Sequence, residues 1–260
     1  KIGIPALIAV VIAVLVANAG GGGGGGAGLE DVLGQLGGQT PAQAPAPGGT
    51  DGTRDDQEQF VAAVGTLLED HWQEWFETSG EPFRPAGLVV FDAPTDTGGC
   101  GVGTPQAGPF YCPASDRIFV DFGFYEQLER QLGFDGDFAM AYVLAHEYGH
   151  HVQNLLGINE QVRRAQQGAG EAERNALSVQ LELQADCLAG VWARSAYDDR
   201  RLEDGDFDEA IDAAEAVGDD AISGASAPQE QFTHGSSAQR KAWFTTGFEA
   251  AEPNACNTFA

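Results

Sequence analysis

The sequence predicts an α+β fold, with a small antiparallel sheet and a mostly helical remainder. Three observations lead there. Apolar residues at Phe60, Val61, Val64, Leu67, Leu68, Trp72 and Phe76 recur at the helical period, and Gly80 and Pro82 stop the run. Short β-prone runs separated by turn residues follow between 87 and 122. From Tyr125 onward the pattern is helical again almost to the C-terminus.

The first helix is expected from near Gln57. The run GLVVFDA at 87–93 reads as a buried strand, and the runs at 109–112 and 117–122 as two further strands in an antiparallel arrangement. The strand at 117–121 is either an edge that pairs with an extended peptide or an interior strand. Helices are expected at 125–132, 138–156, 158–165, 173–197, 207–217 and 237–248. Ser236 or Ser237 would cap the last of them. The chain contains no internal repeat.

Ahead of this domain, residues 2–17 carry no charge and almost no polarity. They read as a signal anchor or, given Ala17-Asn18-Ala19, as a cleavable signal peptide within 1–19. Residues 20–55 are rich in Gly, Pro, Ala and Gln and read as a flexible tether, with 56–260 as the folded domain. The expected location is therefore the outer face of a cell membrane through a single span, or secretion after cleavage.

Composition limits the partners. Thirteen Lys+Arg stand against 39 Asp+Glu, a formal net charge of −26. Such a chain repels nucleic acid, whose binding needs cationic side chains against the phosphates, and repels an anionic lipid surface. The cysteines Cys100, Cys112, Cys187 and Cys256 form no CxxC pair. An even number behind an export signal suggests two disulfides. Three pairings are open. Cys100–Cys112, closing a Gly-rich loop, with Cys187–Cys256, pinning the tail, is the favoured one.

The stretch VLAHEYGHHVQNLLG places polar residues inside an otherwise apolar helix. His146 and His150 are four apart and share one helix face, so they can present two nitrogens to one ion. Glu147 can reach a water on that ion without ligating it, and act as general base. A zinc hydrolase needs a third protein ligand. The metzincin spacing would require Gly at 153 and His at 156; Gln153 and Leu156 exclude it. His151 points off the shared face, and His71 belongs to a distant helix. A carboxylate is the economical choice. Glu182 and Asp186 lie four apart in the apolar run LELQADCLAGVW, where buried carboxylates require cationic partners. Glu182 is read as the third ligand, and Asp186 as the acceptor that orients a ligating imidazole. Gly149, a poor helix former, suggests a backbone passing close to the site.

HEYGHHVQ, ELQADCLAG and THGSSAQRKAWF together resemble the bacterial neutral zinc metallopeptidases, over roughly residues 57–248; YCPASDRIFVD is similar to that family too. The order HExxH then ExxxD is similar to the gluzincins, which include thermolysin. The resemblance implies a zincin-like domain, a Zn2+ cofactor, a peptide or protein substrate and a membrane-anchored protein. It also points to His234 as a donor to the oxyanion of the transition state, a task that the chemistry leaves unfilled; Arg240 is an alternative on the same segment. The expectation is a zinc metalloendopeptidase. Its rivals are a zinc hydrolase of a non-peptide amide or ester, and a tethered metal-binding protein without catalysis.

Overall fold

A computed structural model describes residues 52–105, 108–121, 123, 138–224 and 227–260. Helix α1 (Gly52–Ser79) is the first described element, starting ahead of the expected 57. Its stripe of Val61, Val64, Leu68, Trp72 and Phe76 is buried, as the spacing of three and four residues requires. Among the described residues the strands that follow are β1 (Gly87–Phe91), β2 (Thr95–Asp96), β3 (Val102–Gly103), β4 (Phe110–Cys112) and β5 (Arg117–Asp121). The helical remainder comprises α2 (Phe138–Leu155), α3 (Ile158–Gln166), α4 (Glu171–Asp198), α5 (Asp206–Ala216), α6 (Asp219–Ser223) and α7 (Ser237–Ala250). The fold is α+β and mostly helical.

The sheet differs from the expectation in two respects. Its order is β1-β5-β4. β4 and β5 are antiparallel, with Tyr111 opposite Ile118, but β1 and β5 are parallel, with Val89 opposite Phe119. The sheet is mixed because the chain returns through β2, β3 and β4 before β5 pairs with β1. β5 is thus interior, which removes it as a strand open to a peptide. The edge beside α2 is β4.

The segment at 1–19, nearly all of the tether and the expected helix at 125–132 lie outside the described residues. Among the described residues no helix is long and apolar enough to cross a membrane. The expected signal anchor, transmembrane span, membrane partner and single-pass location at the cell membrane are corrected accordingly. α4 carries too much charge for such a role, with Glu171, Glu173, Arg174, Glu182, Asp186, Arg194 and Asp198; α2 has only Glu147 of that kind, but its three histidines, Gln153 and Asn154 make it too polar.

Two crossings bring the site together. α2 and α4 run antiparallel, since His146 meets Asp186 whereas Gln153 meets the Leu181 carbonyl. A Cβ built on Gly149 would stand 2.9 Å from the Ala185 carbonyl oxygen. The close approach suggested by Gly149 is therefore that of α4. On the far side of α4 lies α7, where a Cβ on Gly247 would stand 1.9 Å from the Cys187 carbonyl oxygen. Ser236 caps α7 through a capping box with Gln239. Both disulfides, Cys100–Cys112 and Cys187–Cys256, form as favoured.

The crossing yields a prediction. Gly149→Ala should destabilise the protein by roughly 1–3 kcal/mol, the usual cost of forcing atoms into a packed contact, although alanine is the better helix former. Denaturant unfolding measures it; an unchanged or raised midpoint would show that the two helices can separate freely.

Candidate metal centre

α2 carries His146 and His150 one turn apart, with ring centroids 4.8 Å from one another. α4 brings Glu182 against both. Its carboxylate oxygens lie 3.2 Å from His146 Nε2 and 3.5 Å from His150 Nε2. Candidate ligand atoms of these three residues all fall within 4.8 Å of one another, and among the described residues no other group of His, Cys, Asp and Glu does so.

The outer nitrogens are committed elsewhere. His146 Nδ1 lies 2.8 Å from Asp186 Oδ1, and His150 Nδ1 lies 2.9 Å from Gln153 Oε1. Each Nδ1–H therefore donates outward, and each Nε2 faces Glu182. Two imidazole nitrogens and one carboxylate are the donor set of a catalytic zinc site, a class of site that keeps its fourth position for water or substrate. The residues present fit the ion.

Asp186 is fully buried. Besides His146 it accepts the Tyr142 hydroxyl at 2.7 Å and the fork of Arg240, through Nε at 2.8 Å and Nη2 at 2.9 Å. Burial alone would push its carboxyl up, but Arg240 and His146 outweigh it and hold it down at about 2. Arg240 is spent on this contact, which removes it as the alternative oxyanion donor. Burial likewise pushes the Glu182 carboxyl up, and His150, His234 and His146 outweigh that and keep it well below the usual range.

Glu147 is buried beside the cluster. Its carboxyl is raised, chiefly by burial, against the pull of His150 and His146, and it accepts the backbone N–H of Tyr111 in β4. His234 is buried in the loop before α7. Its Nδ1 lies 2.8 Å from Thr233 Oγ1 and 3.5 Å from Asp219 Oδ1. Asp219 Oδ2 also accepts the backbone N–H groups of Thr233, His234 and Gly235 at 2.7–2.9 Å. His151 does point off the shared face: Nε2 donates to the Arg84 carbonyl at 2.7 Å and Nδ1 lies 3.0 Å from the Tyr111 hydroxyl. It fastens α2 to β4.

Sequence reasoning missed Gln153, Tyr142 and Asp219. Tyr142 had a legible signal, since it lies four residues before His146 on the same face. In the sequence Gln153 stands out only as a departure from the metzincin spacing. Asp219 is one of many acidic residues, and nothing local separates it from the rest.

Two imidazoles and a carboxylate gathered by antiparallel helices, with a buried glutamate at their side, define a domain of the HExxH type with a cluster able to hold a metal ion. The chain belongs to the family described as "Putative neutral zinc metallopeptidase", which matches residues 1–259. It is similar to the "Uncharacterized protein YpfJ" of Escherichia coli (strain K12), with 44% identity over 232 residues, covering 88% of this chain and 80% of the relative. It is also similar to the "Uncharacterized protein Rv2575" of Mycobacterium tuberculosis (strain ATCC 25618 / H37Rv), with 42% identity over 215 residues, covering 77% of this chain and 70% of the relative. No solved structure matches the chain.

The electrostatics set a pH dependence. Burial pushes the His146 imidazolium down, but Asp186 and Glu182 outweigh it and raise its pKa to about 9. In the metal-free protein a proton thus stands between His146 and Glu182, where an ion would sit. That proton stabilises the metal-free fold fully below pH 6.5, and its contribution disappears as pH rises through about 9. Zinc must displace it, so metal affinity should change in the opposite sense and rise with pH up to that point. Calorimetry at pH 7 in buffers of different ionisation enthalpy should register proton release on zinc binding. Binding without proton release would contradict the proton's place between the two groups.

Proposed function

We propose that the protein is a zinc-dependent endopeptidase, with His146, His150 and Glu182 holding the ion, Glu147 as general base and His234 as donor to the developing oxyanion. The single observation that carries the reading is the convergence of two Nε2 nitrogens and the Glu182 carboxylate beside a buried Glu147. When bound, zinc acidifies a water and polarises a carbonyl.

The chain's own groups divide the remaining work. Burial raises the Glu147 carboxyl, which favours its taking a proton from the attacking water and passing it to the leaving amine. Asp186 accepts the His146 Nδ1 proton and holds that ring in one tautomer. Asp219 holds the backbone on either side of His234, so the imidazole approaches the site from a fixed loop. A peptide substrate follows from the family to which the chain belongs, described as a neutral zinc metallopeptidase.

The test is hydrolysis of a mixed peptide library with and without chelator. Purified protein should hold about one zinc per chain and lose cleavage on chelation. Glu147→Gln should keep the metal and lose hydrolysis, whereas Glu182→Ala should lose the metal. A metal-free native protein, or Glu182→Ala with native zinc content, would end the proposal; zinc retained with no cleavage of any peptide would point to the non-peptide or non-catalytic alternatives.

His234 is tested separately. His234→Ala should lower kcat by roughly 10²-fold or more, with zinc content and Tm held. A stable and fully active variant would remove it from the chemistry.

A further inference from the structure

Gln153 is fully buried at the end of α2, where a polar side chain is costly unless each of its groups is satisfied. All of them are. Its Nε2 donates to the Leu181 carbonyl at 2.7 Å and to Gln184 Oε1 at 3.1 Å. Its Oε1 lies 2.9 Å from His150 Nδ1. Gln184, also buried, donates from Nε2 to the Cys256 carbonyl at 2.9 Å.

We propose that Gln153 is a positioning residue for His150, and that a one-way chain of amide hydrogen bonds ending on the Cys256 carbonyl decides which nitrogen His150 presents to the metal. This rests on the reading of the site as a zinc centre and adds to it the device that sets the second imidazole.

The direction of the chain is set by its ends. Backbone carbonyls only accept, so the Cys256 carbonyl compels Gln184 to turn its NH2 outward and its oxygen toward Gln153. The Leu181 carbonyl and that oxygen together take both hydrogens of the Gln153 NH2. The Gln153 oxygen must then face His150, which requires a proton on Nδ1 and leaves Nε2 as the lone pair beside Glu182. The Cys187–Cys256 disulfide keeps the final carbonyl in place, and Thr258, donating to the Gln180 carbonyl at 2.6 Å, ties the tail to α4 a second time.

The two imidazoles are thus set by different means. His146 leans on the charged Asp186, which needs Arg240 as its counter-charge. His150 leans on a neutral amide, which needs no counter-charge and adds no negative charge beside Glu147 and Glu182.

The experiment compares zinc affinity, measured by competition with a chromogenic chelator, with the melting temperature of the metal-free proteins. Gln153→Met removes the acceptor as well as the donors to Leu181 and Gln184. Gln153→Glu keeps an acceptor for His150. Gln153→Met should bind zinc roughly 10–100-fold more weakly than the native protein. Gln153→Glu should recover most of that loss, although both variants melt below the native protein. Affinity that falls in step with melting temperature in both variants, or native affinity in Gln153→Met, would overturn the proposal and leave the metal reading intact. A native protein that binds no zinc would instead sink the metal reading. Should the variants not fold, nitrogen-15 spectra of the zinc-loaded native protein decide: zinc on His150 Nε2 with a slowly exchanging Nδ1 proton is expected, and zinc on Nδ1 overturns the proposal.

Discussion

The structure depends on one buried carboxylate. Asp186 has no exposure to solvent, and its charge in that position would be untenable alone. Three groups meet it: the Tyr142 hydroxyl, the His146 imidazole and the Arg240 guanidinium. They come from α2 and α7, while Asp186 itself is on α4. Removing any one of these groups leaves the others partly unpaired in a low-dielectric interior, where the penalty exceeds the worth of the lost contact. The arrangement therefore fixes three helices in register and, in the same contact, fixes an imidazole of the candidate metal centre.

Small residues make that register attainable. Hydrogen bonds of 2.7–2.9 Å between side chains of adjacent helices leave no slack in the helix separation. At Gly149 and Gly247 even a methyl group would run into the α4 backbone. These glycines cost some helix propensity, and the polar network is what that cost permits. The tail is drawn onto the same helix by Cys187–Cys256, so α4 is gripped along its length from both sides.

The sheet contributes through an edge. β4 supplies the Tyr111 N–H to Glu147, and the Tyr111 hydroxyl meets His151, Asn154 and Asp116. One residue thus binds the general-base candidate with its backbone and the far face of α2 with its side chain. The adjacent histidines His150 and His151 consequently serve opposite sides of one helix. His150 faces Glu182, and His151 locks the helix to the strand.

By itself the sequence determined the features that periodicity and local chemistry dictate. These are the α+β class, the buried face of α1, the extents of α2 and α4 to within a residue or two, the favoured cysteine pairing and the grouping of His146, His150 and Glu182. Each of these rests on spacing along one element, on a count of thiols, or on a buried charge that demands a partner. The tertiary structure decided the features that depend on distant segments. β5 pairs with β1 in parallel because of the path between them, which local pattern does not encode. Arg240 turned out to serve Asp186, since only the crossing of α7 over α4 brings them within 2.8 Å. Gln153 acquired its partner in Gln184, and Gln184 its partner in the Cys256 carbonyl, through contacts spanning 31 and 72 residues. An amide has no preferred partner in sequence; its direction is set by whichever carbonyl the fold places beside it.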